Sequence, residues 1–122
     1  MGEWPVGGMR RERVAEALRE EISALLSELK DPRVGFASIT RVEMSPDLRH
    51  ARVYVSVLGD EARKKATMEG LHSATGFIRS EVGRRVRLFR TPEIAFQLDE
   101  SLEKGARVLK LMEEVSREEG HG

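Results

Sequence analysis

The sequence predicts an α+β domain of two layers, with helices packed on one face of a small sheet. Three patterns predict it. Apolar residues recur at helical spacing from Arg10 to Lys30, they alternate with polar ones in two strand-like stretches, Ala51 to Val57 and Ile94 to Leu98, and a long helical pattern separates those two stretches. Short strands and helices joined by brief links enclose one hydrophobic core, and a chain of 122 residues has the size of one such core.

The first eight residues hold two adjacent glycines and a Trp4-Pro5 pair without periodicity, and read as a flexible extension, residues 1–8. From Arg10 to Lys30, Val14, Leu18, Ile22, Leu25 and Leu29 fall within about 80° of arc while Glu16, Arg19, Glu20, Ser23 and Ser27 lie elsewhere, which makes an amphipathic helix. Asp31-Pro32 ends it, because proline lacks an amide hydrogen and disfavours helical geometry in the residue before it. Phe36 to Met44 is rich in β-formers, and the turn Ser45-Pro46-Asp47 leads into the clearest strand of the chain. There Ala51, Val53, Val55 and Val57 share one face and Arg52, Tyr54 and Ser56 the other, so the two segments form an antiparallel hairpin.

Gly59-Asp60 opens a second helical region in which Met68, Leu71, Ala74, Ile78 and Val82 form a stripe about 120° wide. Gly70, Gly76 and Gly83 interrupt it, each at a cost of about 1 kcal/mol relative to alanine. One of them is expected to mark a break between two helices, placed at Ala74-Thr75-Gly76. After Thr91-Pro92 comes the third strand, and Ser101 begins a final helix with Leu102, Ala106 and Leu109 on one side. Its apolar stripe drifts after Val108, and Ser116 to Gly122 is expected to fray. The main domain is therefore read as residues 9–99, followed by a C-terminal helix and tail over residues 100–122.

The order of the first six elements, α-β-β-α-α-β, is the type II KH arrangement, a fold associated mainly with RNA. Particular residues sharpen this. Lys30-Asp31-Pro32-Arg33 follows the first helix, VEMSPDLRHARVYVSVLG runs from Val42 to Gly59, ATGFIR from Ala74 to Arg79, and RRVRLFRTPEI from Arg84 to Ile94. Over about Met9 to Leu111 this resembles the ribosome-binding factor A family. The resemblance implies a type II KH-like domain, α-β-β-α-kink-α-β with an additional C-terminal helix, in which Ala-x-Gly at the kink replaces the usual Gly-x-x-Gly loop; here Ala74-Thr75-Gly76 stands in that place. It further implies a non-enzymatic bacterial factor without cofactors that binds the free 30S ribosomal subunit near the 5′-terminal stem of 16S rRNA. Such a factor assists late pre-rRNA processing and cold adaptation, leaves before translation, and has maturation GTPases in its pathway.

Composition sets limits. There is no cysteine, which removes disulfides, thiolate metal sites and cysteine nucleophiles and fits a reducing cytoplasm. No apolar run reaches the roughly 20 residues of a membrane span, and the start lacks a signal peptide's basic and apolar regions. A cytoplasmic monomer without membrane contact is expected. Net charge is zero, but residues 93–122 carry eight acids against four bases, so residues 1–92 hold an excess of four positive charges. Within that part, the stretch from Arg79 to Arg90 holds Arg79, Arg84, Arg85, Arg87 and Arg90 against Glu81 alone.

If the helix continues past Gly76, then Arg79, Gly83, Arg84 and Arg87 span about 140° of arc opposite Ile78 and Val82, and their guanidinium groups can meet phosphates. Gly83 would let an RNA backbone come close. On the residues alone a solvated helix face is an equal reading. Gly76 is either a helix C-cap or a place where the kink offers backbone amides and Thr75 to RNA. With the resemblance, the expected RNA-binding residues are Ala74, Thr75, Gly76, Arg79, Gly83, Arg84, Arg85, Arg87 and Arg90, extended by Lys64 and Lys65. Arg10, Arg11 and Arg13 open a helix where positive charge opposes the macrodipole, and read as solvated unless an anion compensates them.

His50, His72 and His121 lack metal-ligand spacing, no nucleophile elbow, Walker loop or dinucleotide fingerprint occurs, and adjacent acids such as Glu20-Glu21 point about 100° apart on a helix. No metal site and no catalysis are expected. The second strand also lacks the paired aromatics with which a base-stacking sheet works. Recognition of RNA shape and phosphates is the leading expectation; the alternative is a protein-interaction module whose acidic final helix contacts a maturation GTPase or a ribosomal protein.

Overall fold

The computed structural model describes Trp4 and residues 8–34, 37–87 and 90–119. In chain order they form α1 (Met9–Glu28), a 3-10 turn (Pro32–Val34), β1 (Ala37–Met44), β2 (His50–Val57), α2 (Glu61–Arg85), β3 (Glu93–Leu98) and α3 (Ser101–Glu119). The sheet order is β1-β2-β3, antiparallel between β1 and β2 and parallel between β2 and β3, with α2 as the crossover. This is the expected KH-like α+β architecture with an added helix at its end.

The core lies between one face of the sheet and the two helices α1 and α2. Leu18, Ile22 and Leu25 of α1, Val53 and Val55 of β2, and Leu71, Ile78 and Val82 of α2 are fully buried there, joined by Ile94 and Phe96 of β3. Val14 and Leu29, the ends of the predicted α1 stripe, pack against its edge. The helix itself stops at Glu28, two residues before the expected end, because Leu29 has already turned to extended geometry ahead of the proline's restriction.

The β1–β2 register pairs Val42 with Val53 and Ala37 with Val57, with an irregularity between Ile39 and Arg41 that leaves Thr40 out of the ladder. The Thr40 hydroxyl donates instead to the Asp99 carboxylate at 2.6 Å, and that carboxylate also accepts the Ser101 amide at 2.9 Å where α3 begins. These donors hold the Asp99 carboxyl at about 2, well below its ordinary value of 3.8.

The expected division of the second helical region does not occur. Helix α2 runs unbroken for 25 residues through Ala74, Thr75 and Gly76, capped by Asp60, whose side chain accepts the Arg63 amide at 2.9 Å. The balance of magnitudes explains it: three interior glycines cost about 1 kcal/mol each, whereas burying Leu71, Ile78 and Val82 along one line gains about 1.5–3 kcal/mol each. Two of the glycines also permit close packing. A Cβ on Gly70 would lie 2.8 Å from Val34 Cγ2, and one on Gly83 would lie 2.8 Å from Thr91 Oγ1.

Helix α3 stands apart from this core. Its side chains from Ser101 to Arg117 are all exposed, and it stays helical to Glu119, beyond the expected onset of fraying at Ser116. It is tied to α2 through Lys64. Of the eight-residue extension, Trp4 and Gly8 lie within the described residues, and the Trp4 ring stacks on the Arg52 guanidinium at 3.8 Å. Phe36 falls outside them.

Candidate nucleic-acid interface

Because α2 buries Lys64, Thr67, Leu71, Ile78 and Val82, its opposite side presents Lys65, His72, Ser73, Gly76, Ser80 and Gly83 to solvent. The three residues of the Ala-x-Gly motif separate on this helix. Ala74 packs against the core edge, and the Thr75 hydroxyl donates back to the Leu71 carbonyl at 3.0 Å. Gly76 is exposed, and a Cβ built on it would meet nothing within 4 Å. It is therefore not a C-cap, and among the described residues the glycine with positive φ is Gly59. Nor does the motif offer free amides, since in an unbroken helix each N–H points to the carbonyl four residues earlier. What Gly76 provides is a bare stretch of backbone. Phe77 beside it is 52% exposed, an aromatic surface to which the sequence reading gave no role of its own.

The cations sort by their partners. Lys64 is buried and meets Glu103 at 2.7 Å, Glu100 at 3.3 Å and Glu61 at 3.5 Å. The hydrogen bond to Glu103 leads in pushing its pKa up to about 12. Its charge is spent joining α2 to α3, so it offers no phosphate contact. Arg79 donates to the Pro92 carbonyl at 3.0 Å and the Thr91 carbonyl at 3.3 Å and pairs with Glu93 at 3.4 Å, which pins the segment before β3 onto α2. Gly83 serves the same junction. Its missing side chain admits the Thr91 hydroxyl on one side, while the glycine itself stays exposed. Arg85 reaches Glu28 at 3.0 Å and Glu81 at 3.5 Å and ties α2 to α1.

Arg84, Lys65, Arg87 and Arg90 behave differently. The Arg84 side chain contacts Glu81 at 3.1 Å but remains 77% exposed. Lys65, Arg87 and Arg90 are exposed, with no ion pair within 4 Å among the described residues. Arg87 and Arg90 line a cleft of about 460 Å³ together with Arg10 from α1 and Arg49 from the β1–β2 turn. The sequence alone gives Arg49 no role and reads Arg10 as solvated unless an anion compensates it. The misplaced positive charge at the start of α1 was the available signal for Arg10; for Arg49 there was none, since only the fold brings the turn beside the end of α2.

On the sheet's outer face the Arg41 guanidinium lies over the Tyr54 ring at 4.1 Å, so that ring is already stacked on one side. Among the described residues no three His, Asp or Glu groups stand together as a metal site. His121 lies outside them.

Comparison with known proteins is consistent in one direction. Residues 10–112 match the sequence profile of the family described as Ribosome-binding factor A. The protein of that name from Halothermothrix orenii is 56% identical over 111 residues, 90% of this chain and 91% of that one. Its counterpart from Natranaerobius thermophilus is 49% identical over 112 residues, 91% of this chain and 86% of that one. Among solved structures, the Thermus thermophilus ribosome binding factor A, a homology model fitted into the cryo-EM map of a 30S–RbfA complex, is similar with a TM-score of 0.59 and 25% identity. The likeness covers 78% of this chain and 97% of that one.

Proposed function

Since the chain belongs to the ribosome-binding factor A family, we propose that it binds the free small ribosomal subunit through rRNA and acts by that binding, without a chemical step. The observation that carries this reading is the sorting of cations on and beside α2. Lys64, Arg79 and Arg85 are engaged in joining the protein's own elements, whereas Lys65, Arg84, Arg87 and Arg90 are left pointing outward. Exposed guanidinium groups at and beyond the end of the helix that carries the bare backbone at Gly76 suit contact with phosphate-bearing backbone, through planar forks that match phosphate oxygens.

The docking surface in this proposal comprises Gly76, Lys65, Arg84, Arg87 and Arg90, with Ala74 and Thr75 shaping the helix beneath it and Arg79, Gly83 and Arg85 holding it in place. Its target is the region of the 5′-terminal stem of 16S rRNA, and its task is to hold a local rRNA conformation during late pre-rRNA processing, a step most needed in the cold. Specificity comes from RNA already folded on the subunit, since a small basic patch reads phosphates rather than sequence. The factor works as a cytoplasmic monomer alongside maturation GTPases. Substituting glutamate at Arg84 and Arg87 together tests this. Binding to free subunits should fall at least tenfold at physiological salt with the fold intact, and retained binding would move the interface elsewhere.

A second reading is favoured by α3, whose exposed Val108, Leu111, Met112 and Val115 lie together as an apolar surface of the kind that meets proteins. Truncation after Leu111 separates the two readings: unaltered subunit binding leaves α3 peripheral.

A further inference from the structure

We infer that the cleft between the start of α1, the β1–β2 turn and the segment after α2 is a binding site for two neighbouring phosphate groups of an RNA backbone. The inference rests on the rRNA-binding reading and assigns it a pocket that neither the sequence pattern nor the Ala-x-Gly motif indicates.

Four guanidinium groups from three separate elements line this cleft: Arg10 from the first turn of α1, Arg49 from the turn, and Arg87 and Arg90 from the α2–β3 link. Its volume of about 460 Å³ lies within the range of small-ligand clefts. Among the described residues the one lining carboxylate is Asp47, so their side chains give the lining an excess of three positive charges. Acids are not scarce in this chain, which has 21 of them against 21 Lys and Arg. Arg19, Arg33, Arg79, Arg84 and Arg85 each hold a carboxylate within 4 Å, whereas none of the four cleft arginines does among the described residues. Like charges gathered in one concavity repel until an anion enters.

Asp47 offsets one of the four positive charges, acting on its neighbour Arg49, while its side chain is engaged in building the turn. Its Oδ1 accepts the Ser45 hydroxyl at 2.7 Å and the Arg49 amide at 3.0 Å, and these donors hold its carboxyl below the ordinary value. The same turn carries Leu48 at φ +60°, a left-handed conformation that branched residues rarely adopt. The Leu48 amide donates to the Ser45 carbonyl at 3.0 Å, and the Arg49 carbonyl accepts the Glu93 amide at 2.8 Å. The strained turn is thereby fixed from both sides, and Arg49 leaves it from a rigid backbone.

The start of α1 adds to the same field. Gly8 caps this helix without a side-chain hydrogen bond, and Arg10 sits where the helix dipole is already positive. An anion in the cleft compensates the helix end and the arginines together. Four planar forks suffice for two phosphates, each gripped by a pair of arginines. Two phosphates lie that close on neighbouring nucleotides of one RNA strand, so the pocket suits a short stretch of phosphate backbone.

The test uses the full chain carrying R10Q and R49Q, two positions outside the α2 surface. Its binding to free small subunits and to a fluorescent, internally looped RNA hairpin is measured between 0.05 and 0.3 M salt beside the wild type. Loss of two phosphate contacts should lower the slope of log affinity against log salt by about 1.5 and weaken binding about twentyfold at 0.15 M, with thermal unfolding unchanged. Equal slopes and affinities would overturn the inference, while wild-type binding to subunits would leave the functional reading standing. Should the wild type bind neither RNA nor subunits, that reading fails, and titration with inorganic pyrophosphate decides the cleft alone. Saturable binding lost in the double variant upholds a phosphate site, and its absence from the wild type overturns it.

Discussion

Replacing Gly76 by alanine should stabilise the fold and weaken subunit binding at the same time. The Cβ would meet no atom within 4 Å, and the residue lies inside an unbroken helix, so the substitution adds no clash and removes backbone freedom from the unfolded chain. Glycine to alanine in an exposed helix interior is worth about 1 kcal/mol, which raises the unfolding temperature of a domain this size by about 4 °C. The same change at the buried Gly70 should act oppositely, costing about 1–3 kcal/mol, because its Cβ would lie 2.8 Å from Val34 Cγ2 and 3.2 Å from Arg33 Cβ. At the exposed Gly83 the result should fall between the two, since the Thr91 hydroxyl can turn away. Circular dichroism melts of the three variants, followed by sedimentation of each with free small subunits, give both readouts. A G76A variant that melts below the wild type would refute the continuous helix. One that melts higher and binds unchanged would refute the idea that RNA approaches that bare backbone.

Further expectations follow from single contacts. Arg79→Met removes donors to two carbonyls and should cost about 1–2 kcal/mol without altering the salt dependence of RNA binding; a changed salt slope would return Arg79 to the phosphate-contacting set. Trp4 is the chain's one tryptophan, so Arg52→Gln should alter its fluorescence by removing the stacked guanidinium, and identical spectra would contradict that contact. Asp99 has a folded pKa of about 2, below its ordinary 3.8, so its stabilising effect is complete above about pH 4 and disappears as pH falls toward 2. Unfolding free energies of the wild type and Asp99→Asn should therefore converge over that window, and a constant gap would show that the carboxyl is not depressed.

The elements of the fold were legible because each carries its period openly. Val53, Val55 and Val57 alternate, Leu18, Ile22 and Leu25 repeat at helical spacing, and Asp60 announces a helix start. The helix break was misjudged because three glycines signal weakness locally, while the buried line from Leu71 to Val82 that outweighs them is a tertiary quantity. The basic residues were legible as a run but not as a site. Sequence spacing cannot tell that Lys64 meets Glu103, that Arg79 reaches the carbonyl of Pro92, or that Gly83 makes room for Thr91. The same limit hid Arg49, which lies more than thirty positions from Arg87 and joins it only when β2, α2 and β3 have assembled.

The central claim, that this chain acts by docking on the free small subunit, is tested most directly by co-sedimentation with free small subunits and with complete ribosomes at physiological salt. Binding to the free subunits and exclusion from complete ribosomes is the expected result. Equal binding to both, or to neither, would contradict it.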